Sequence, residues 1–190
     1  GGWINKIGLR NKGIDYGIQN YDENNDILSI AILKYDEIDK FNDKIPEDTN
    51  LELNISCPNL DDKHLISDGL QKFLNKSRKW CIIKLSPLID KKLIDTYYRQ
   101  GFRQFNCGNT LPIKEGGLSG SSLIPYHSKN INYIKKTYPD SVIIATGGIQ
   151  SWKDIDYYID NGADHISISS VLFNPFQFCL LYSKYYFNLK

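Results

Sequence analysis

The sequence predicts an α/β fold with a mostly parallel sheet. Short β-branched runs alternate with segments of helical period from end to end. Parallel neighbours need a crossover connection, and the alternation supplies one between each pair of strands. Polar residues also stand at or just beyond the C-terminal end of five different strands: Asn54, Lys84, Asn109, Gly147-Gly148 and Ser169-Ser170. An open doubly wound sheet gathers its site at one switch point. A (β/α)8 TIM barrel builds its site on that face from many strands, so the barrel is the architecture expected.

Taken in order, Ile27–Leu33 reads as a strand and is followed by the charged stretch Lys34–Lys44. Leu51–Ser56 is the second strand, then a loop from Cys57 and a helix through Leu70–Leu74. Cys81–Leu85 is the third, and Ile89–Gln100 a helix closed by Gly101. Phe102–Cys107 is the fourth, followed by the Gly/Ser-rich loop Gly108–Ser122 and a helix around Asn130–Thr137. Ser141–Thr146 is the fifth, Ser151–Asn161 a helix closed by Gly162, and His165–Ser169 the sixth. Val171–Phe187 reads as a final helix. A full barrel has eight strands and about 250 residues. Against that, six βα units in 190 residues lack two units of about 30 residues each. The chain contains no Met and begins Gly1-Gly2-Trp3, so the expectation is one partial barrel domain over 1–190 with the first two strands missing.

Composition removes other classes. With 23 Lys+Arg against 22 Asp+Glu the net charge is +1, which gives no electrostatic case for nucleic acid or an acidic membrane surface. No apolar run approaches the roughly 20 residues of a membrane span, and the N-terminus lacks the order of a signal peptide. The four cysteines are dispersed, with no CxxC and no His at ligand spacing, so neither a metal site nor a disulfide framework is expected. A reducing, cytoplasmic setting is the default. His64, His127 and His165 share no metal spacing and read as solvent or packing residues; the Tyr/Phe-rich end, Phe173–Phe187, reads as a helix packing face.

Four constellations could carry chemistry. In Glu52-Leu53-Asn54-Ile55-Ser56-Cys57-Pro58-Asn59, Cys57 is either a small buried hydrophobe or a thiol base placed where a strand opens into its loop. Flanking carboxamides, each with one acceptor and two donors, match the alternating C=O and N–H edge of a cyclic imide, and a thiol between them could take a proton from a ring carbon. Lys84 interrupts an apolar strand; it either snorkels to water or faces an anion, such as the N1–C2=O edge of a reduced flavin. Thr146-Gly147-Gly148, with Ser169-Ser170 one unit later, offers backbone and hydroxyl donors where barrels often bind phosphate. Asn109-Thr110-Leu111 with Gly116–Gly120 is either a surface loop or a flap able to pass close over a planar ligand.

Together these segments resemble the dihydroorotate dehydrogenase family of FMN-dependent barrel enzymes. Ile4-Asn5-Lys6-Ile7-Gly8-Leu9 with Asn11-Lys12-Gly13 is similar to the family's segment between barrel strands 2 and 3. Asn54–Asn59, Ile83-Lys84-Leu85-Ser86-Pro87, Asn109-Thr110, Gly116–Gly120, Thr146-Gly147-Gly148 and Gly162-Ala163 follow in family order. The resemblance implies FMN as cofactor and oxidation of (S)-dihydroorotate to orotate in de novo pyrimidine (UMP) biosynthesis. It implies Cys57 as the base, as in the soluble branch; the membrane-associated branch carries Ser there, and the Asn109–Gly120 loop is closer to that second branch. Asn5, Asn54, Asn59, Asn109 and Thr110 would hold the substrate. Lys84 would meet the flavin ring, Ser119, Gly120 and Leu123 would line it, and Thr146, Gly147, Gly148, Ser169 and Ser170 would bind its phosphate. The family's first two strands and their active-site lysine have no counterpart, and a homodimer is allowed for. Two alternatives stand beside this: another FMN barrel reductase acting on a dihydropyrimidine or dihydrouridine, and a degenerate, non-catalytic barrel fragment.

Overall fold

The computed structural model describes residues 2–8, 10–55 and 67–187. It is an α/β structure whose six-stranded sheet has the order β2(Leu28–Ala31)-β3(Leu51–Asn54)-β4(Cys81–Leu85)-β5(Gln104–Cys107)-β8(Val142–Thr146)-β9(His165–Ser167). These are the six strands read from the sequence, trimmed by up to two residues at an end; β4 matches to the residue. The order is open, ending at β2 and β9 among the described residues. A second sheet has the order β1(Gly2–Asn5)-β7(Gly116–Gly120)-β6(Leu111–Ile113). No helix among the described residues is long and apolar enough to cross a membrane.

The chain forms two compact units. One comprises Ile7–Leu85 and Ile89–Phe105. Its strands β2, β3 and β4 are parallel, with Ile30 beside Leu53 and Leu53 beside Ile83. Because strand side chains alternate, one face of these strands carries Ile30, Leu51, Leu53, Cys81, Ile83 and Leu85, all buried. Ile38 of α2(Tyr35–Lys44), Ile94 and Tyr97 of α3(Lys91–Arg99), and Leu70 and Phe73 of a 3-10 turn complete that core. The other face carries Ser29, Glu52, Asn54 and Lys84. The Glu37 carboxylate accepts from the backbone N–H groups of Leu33 and Lys34 at the start of α2, and the Asp90 carboxylate accepts from that of Lys92 at the start of α3. Arg78 ties the loop before β3 to the end of the 3-10 turn by donating to the carbonyls of Pro46, Thr49 and Phe73.

The other unit comprises Gly1–Lys6, Ser86–Leu88 and Asn106–Lys190. Here β8 and β9 are parallel, with Thr146 beside Ser167. The segment read as a Gly/Ser-rich loop is largely regular: β6 and β7 form a hairpin, and β1 adds to β7 in antiparallel register, Trp3 opposite Ser119. The glycines serve this pairing through close approach. A Cβ on Gly116 would lie 2.3 Å from the Asn5 carbonyl oxygen, and one on Gly117 would lie 2.6 Å from Thr110 Oγ1.

Helices α4(Ile124–Thr137), α5(Trp152–Asp160) and α6(Pro175–Tyr186) belong to the same unit. Helix α4 starts earlier than read, with Pro125 in its first turn, where a missing N–H costs nothing. The Asp154 carboxylate closes a capping box with Ser151 at the start of α5. The final helix is broken: Ser170–Phe173 is a 3-10 turn and α6 starts at Pro175, with Asn174 Oδ1 accepting from the Gln177 N–H. Pro cannot continue a preceding helix, so the chain restarts there. Leu181 of α6 is buried, but Phe173, Phe176, Tyr185 and Phe187 are exposed, so the packing-face reading holds only in part.

Candidate functional site

Each sequence-predicted strand-end residue stands where expected along its own strand. Asn54 closes β3, Lys84 is the penultimate residue of β4, Asn109 lies two past β5, Gly147 and Gly148 follow β8, and Ser169 and Ser170 lie just beyond β9. Cys57 and Asn59 lie outside the described residues, as do Ser56, Pro58 and His64.

In the unit that holds β2–β4, Asn54 is in register with Lys84. The Lys84 ammonium donates to Glu52 Oε1 at 3.0 Å, and the Ser29 hydroxyl donates to the same oxygen at 2.7 Å. The partner that an inward lysine requires is therefore Glu52, inside the motif already singled out but unread there. The signal was available, because Glu52 lies two residues before Asn54 and so faces the same way.

In the other unit, Asn5 Nδ2 donates to the Gly117 carbonyl at 3.3 Å, and Asn109 Oδ1 accepts from the Thr110 N–H at 2.9 Å. Ser119 and Gly120 end β7. The turn after β8 is made of two left-handed glycines, Gly147 at φ 96° and Gly148 at φ 79°. It packs so closely that a Cβ on Gly148 would sit 2.9 Å from the Gly120 carbonyl oxygen, and one on Gly147 would sit 3.3 Å from Leu123 Cδ1. Gly120, Leu123, Gly147 and Gly148 are thus brought together. The Tyr158 hydroxyl pins the turn by donating to the Gly147 carbonyl at 2.8 Å. Thr146 Oγ1 donates to Asn106 Oδ1 at 2.9 Å, and Gln150 Nε2 reaches Ser170 Oγ at 3.4 Å. Asn106, Gln150 and Tyr158 carry no motif that would have flagged them.

A turn of bare backbone ahead of a capped helix, with the Ser170 hydroxyl within reach of Gln150, supplies donors that fit a phosphate group. No group of His, Cys, Asp or Glu among the described residues could hold a metal ion. Burial pushes the thiols of Cys81 and Cys107 up to about 11 and about 12, which makes both poor nucleophiles.

His127 is fully buried beside Gly147. Burial pushes its imidazole down to about 4, against the opposing pull of the Asn109 backbone, and neither ring nitrogen makes a full hydrogen bond to a described residue. The folded chain holds His127 neutral, while the unfolded chain protonates it near the ordinary 6.5. Its contribution to stability is complete above that value and falls as pH drops toward the folded value, with a loss of about 2 kcal/mol at pH 5. His127→Gln should therefore flatten the fall of the urea midpoint between pH 7 and pH 5; equal slopes in variant and wild type would rule His127 out as the source.

Comparison with known proteins points to one family. A family model described as dihydroorotate dehydrogenase matches residues 1–180. The catalytic subunit of dihydroorotate dehydrogenase B (NAD(+)) from Malacoplasma penetrans is 31% identical over 210 residues, covering 92% of this chain and 68% of its own length. The subunit of the same name from Thermotoga petrophila is 29% identical over 196 residues, covering 90% of this chain and 72% of its own. Among solved structures, a DHODH from Eimeria tenella in complex with ferulenol superposes with a TM-score of 0.68 at 18% identity. That match covers 90% of this chain and 62% of the Eimeria chain, so this chain spans under two thirds of it. By the extent of the family match, the chain belongs to the dihydroorotate dehydrogenase family.

Proposed function

We propose that this chain serves the FMN-dependent oxidation of (S)-dihydroorotate to orotate. The observation that carries the reading is the set of carboxamides, lysine and glycine turns at the carboxyl ends of its strands, in a chain of this family. Cys57, as thiolate, takes the proton from C5 of dihydroorotate. Bound FMN supplies the acceptor, at N5, for the hydride that leaves C6, so the substrate loses one proton and one hydride and gains the C5=C6 double bond. Asn5, Asn54, Asn59, Asn109 and Thr110 orient the pyrimidine and its carboxylate by pairing donors with acceptors. Lys84 would meet the flavin ring, where its positive charge would favour the reduced form. Ser119, Gly120 and Leu123 line the ring, and Thr146, Gly147, Gly148, Ser169 and Ser170 hold the phosphate. A reducing cytoplasm suits a free thiol in this role.

The test is spectroscopic. The purified full-length protein, supplied with FMN, should retain flavin absorbance that dihydroorotate bleaches and orotate protects. A protein that retains no flavin sinks the proposal. Bleaching by another dihydropyrimidine but not by dihydroorotate would transfer the activity to that substrate.

A further inference from the structure

Among the described residues, Glu52 is the one Asp, Glu, Lys or Arg that is buried, at 8% exposure. A buried carboxylate is costly even when paired, and apolar residues of similar volume often serve stability as well or better. Stability alone is thus a poor reason for an acid in the middle of Leu51-Glu52-Leu53. The register gives another. Ser29 lies directly beside Glu52, Glu52 beside Ile82, and Lys84 is two residues further along the same strand face. Hydroxyl, carboxylate and ammonium form a diagonal across three adjacent strands, and both donors converge on the same atom, Oε1. A lysine stem has four rotatable carbons, and its ammonium has no fixed direction of its own. One strong bond to a carboxylate that is itself held by the neighbouring strand supplies that direction.

We propose that Glu52 is a positioning residue: held by Ser29, it fixes the Lys84 ammonium in one place on the strand face that also carries Asn54 and so sets how strongly the chain favours reduced over oxidised flavin. This rests on the flavin reading above. Positioning and simple charge balance predict opposite signs. If Glu52 only offset the lysine charge, its removal would strengthen the preference for the reduced, more negative flavin. If it holds the lysine, removal scatters the ammonium and weakens that preference.

The experiment uses the full-length protein and two readouts. The first is the ratio of dissociation constants for oxidised and reduced FMN. Glu52→Gln should lower the preference for reduced FMN about tenfold, within the range of one charge-assisted hydrogen bond. Lys84→Met should lower it in the same direction, and the double variant no further than Lys84→Met alone. The second readout needs no cofactor: acetylation of Lys84 in the cofactor-free protein, followed by mass spectrometry, should accelerate about tenfold in Glu52→Gln for the same reason. Ser29→Ala, which keeps the ion pair, should move both readouts the same way by less, and it carries the test if Glu52→Gln does not fold. A preference for reduced FMN that rises or stays level in these variants overturns the proposal, as does unchanged Lys84 acetylation. Faster acetylation in a protein that takes up no FMN supports the hold of Glu52 on Lys84 while sinking the flavin reading.

Discussion

Cys57→Ala should slow flavin reduction by dihydroorotate by about 10²–10⁴-fold, the usual consequence of losing a general acid or base. The prediction follows from which thiols are left to do the chemistry. Cys81 and Cys107 are buried, and burial holds their protons on to about 11 and about 12, so neither offers a thiolate near neutral pH. Cys179 is exposed on α6, outside the strand ends where the polar residues gather. Cys57 stands between Asn54, which closes β3, and Asn59, in the segment that the resemblance assigns to catalysis. Cys57→Ser restores a hydroxyl, whose proton is held far more tightly than a thiol's, so its rate should climb at higher pH than wild type. Single-turnover mixing of FMN-loaded protein with dihydroorotate reads the step directly, free of the electron acceptor. A rate within about twofold of wild type in Cys57→Ala would reject the base role, since it is far short of a lost general base. Cys107→Ala is the control: it should cost stability through a buried cavity and leave the rate per folded molecule unchanged.

The strands of the large sheet were legible where a short apolar run, as in Cys81–Leu85 and Val142–Thr146, or an alternating one, as in Leu51–Asn54 and Gln104–Cys107, lies between charged or Gly segments. Cys81-Ile82-Ile83-Lys84-Leu85 is the clearest, four apolar residues and one charge. The hairpin of β6 and β7 was not legible. Leu111-Pro112-Ile113 and Gly116-Gly117-Leu118-Ser119-Gly120 have too few side chains to show an alternation. Their outer partner, Gly2–Asn5, comes from the far end of the sequence. The break in the last helix was written in Asn174-Pro175, a capping residue followed by a helix-starting proline, but the aromatic run masked it. At the candidate site, positions at strand ends could be read, whereas their supports could not. Glu52, Asn106 and Tyr158 act through register and packing, which bring together residues 32, 40 and 11 apart from their partners.

Gly148→Ala should be the costliest single change in the turn after β8, destabilising the fold by about 2–5 kcal/mol. Two effects add. Left-handed backbone at φ 79° costs a residue with a Cβ roughly 1–2 kcal/mol. The new methyl would also lie 2.7 Å from Ile124 Cγ1, 2.9 Å from the Gly120 carbonyl oxygen and 3.2 Å from Ser121 Cα. The isoleucine can rotate away but the two backbone atoms cannot, and such overpacking typically costs about 1–3 kcal/mol. Gly8→Ala isolates the first effect, because its φ is 68° and nothing lies within 4 Å of its Cβ. Gly147→Ala is intermediate, since its neighbours at 3.2 and 3.3 Å are side-chain atoms of His127 and Leu123. Urea unfolding of the three variants should rank them Gly148, Gly147, Gly8 from most to least destabilised; a Gly8 variant as damaged as the Gly148 one would show that close approach plays no part. The same turn separates folding from function when the flavin is varied. If its backbone amides hold the phosphate, Gly148→Ala should weaken FMN binding and leave riboflavin, which has no phosphate, bound as before. An equal loss for both ligands would move the phosphate site away from β8.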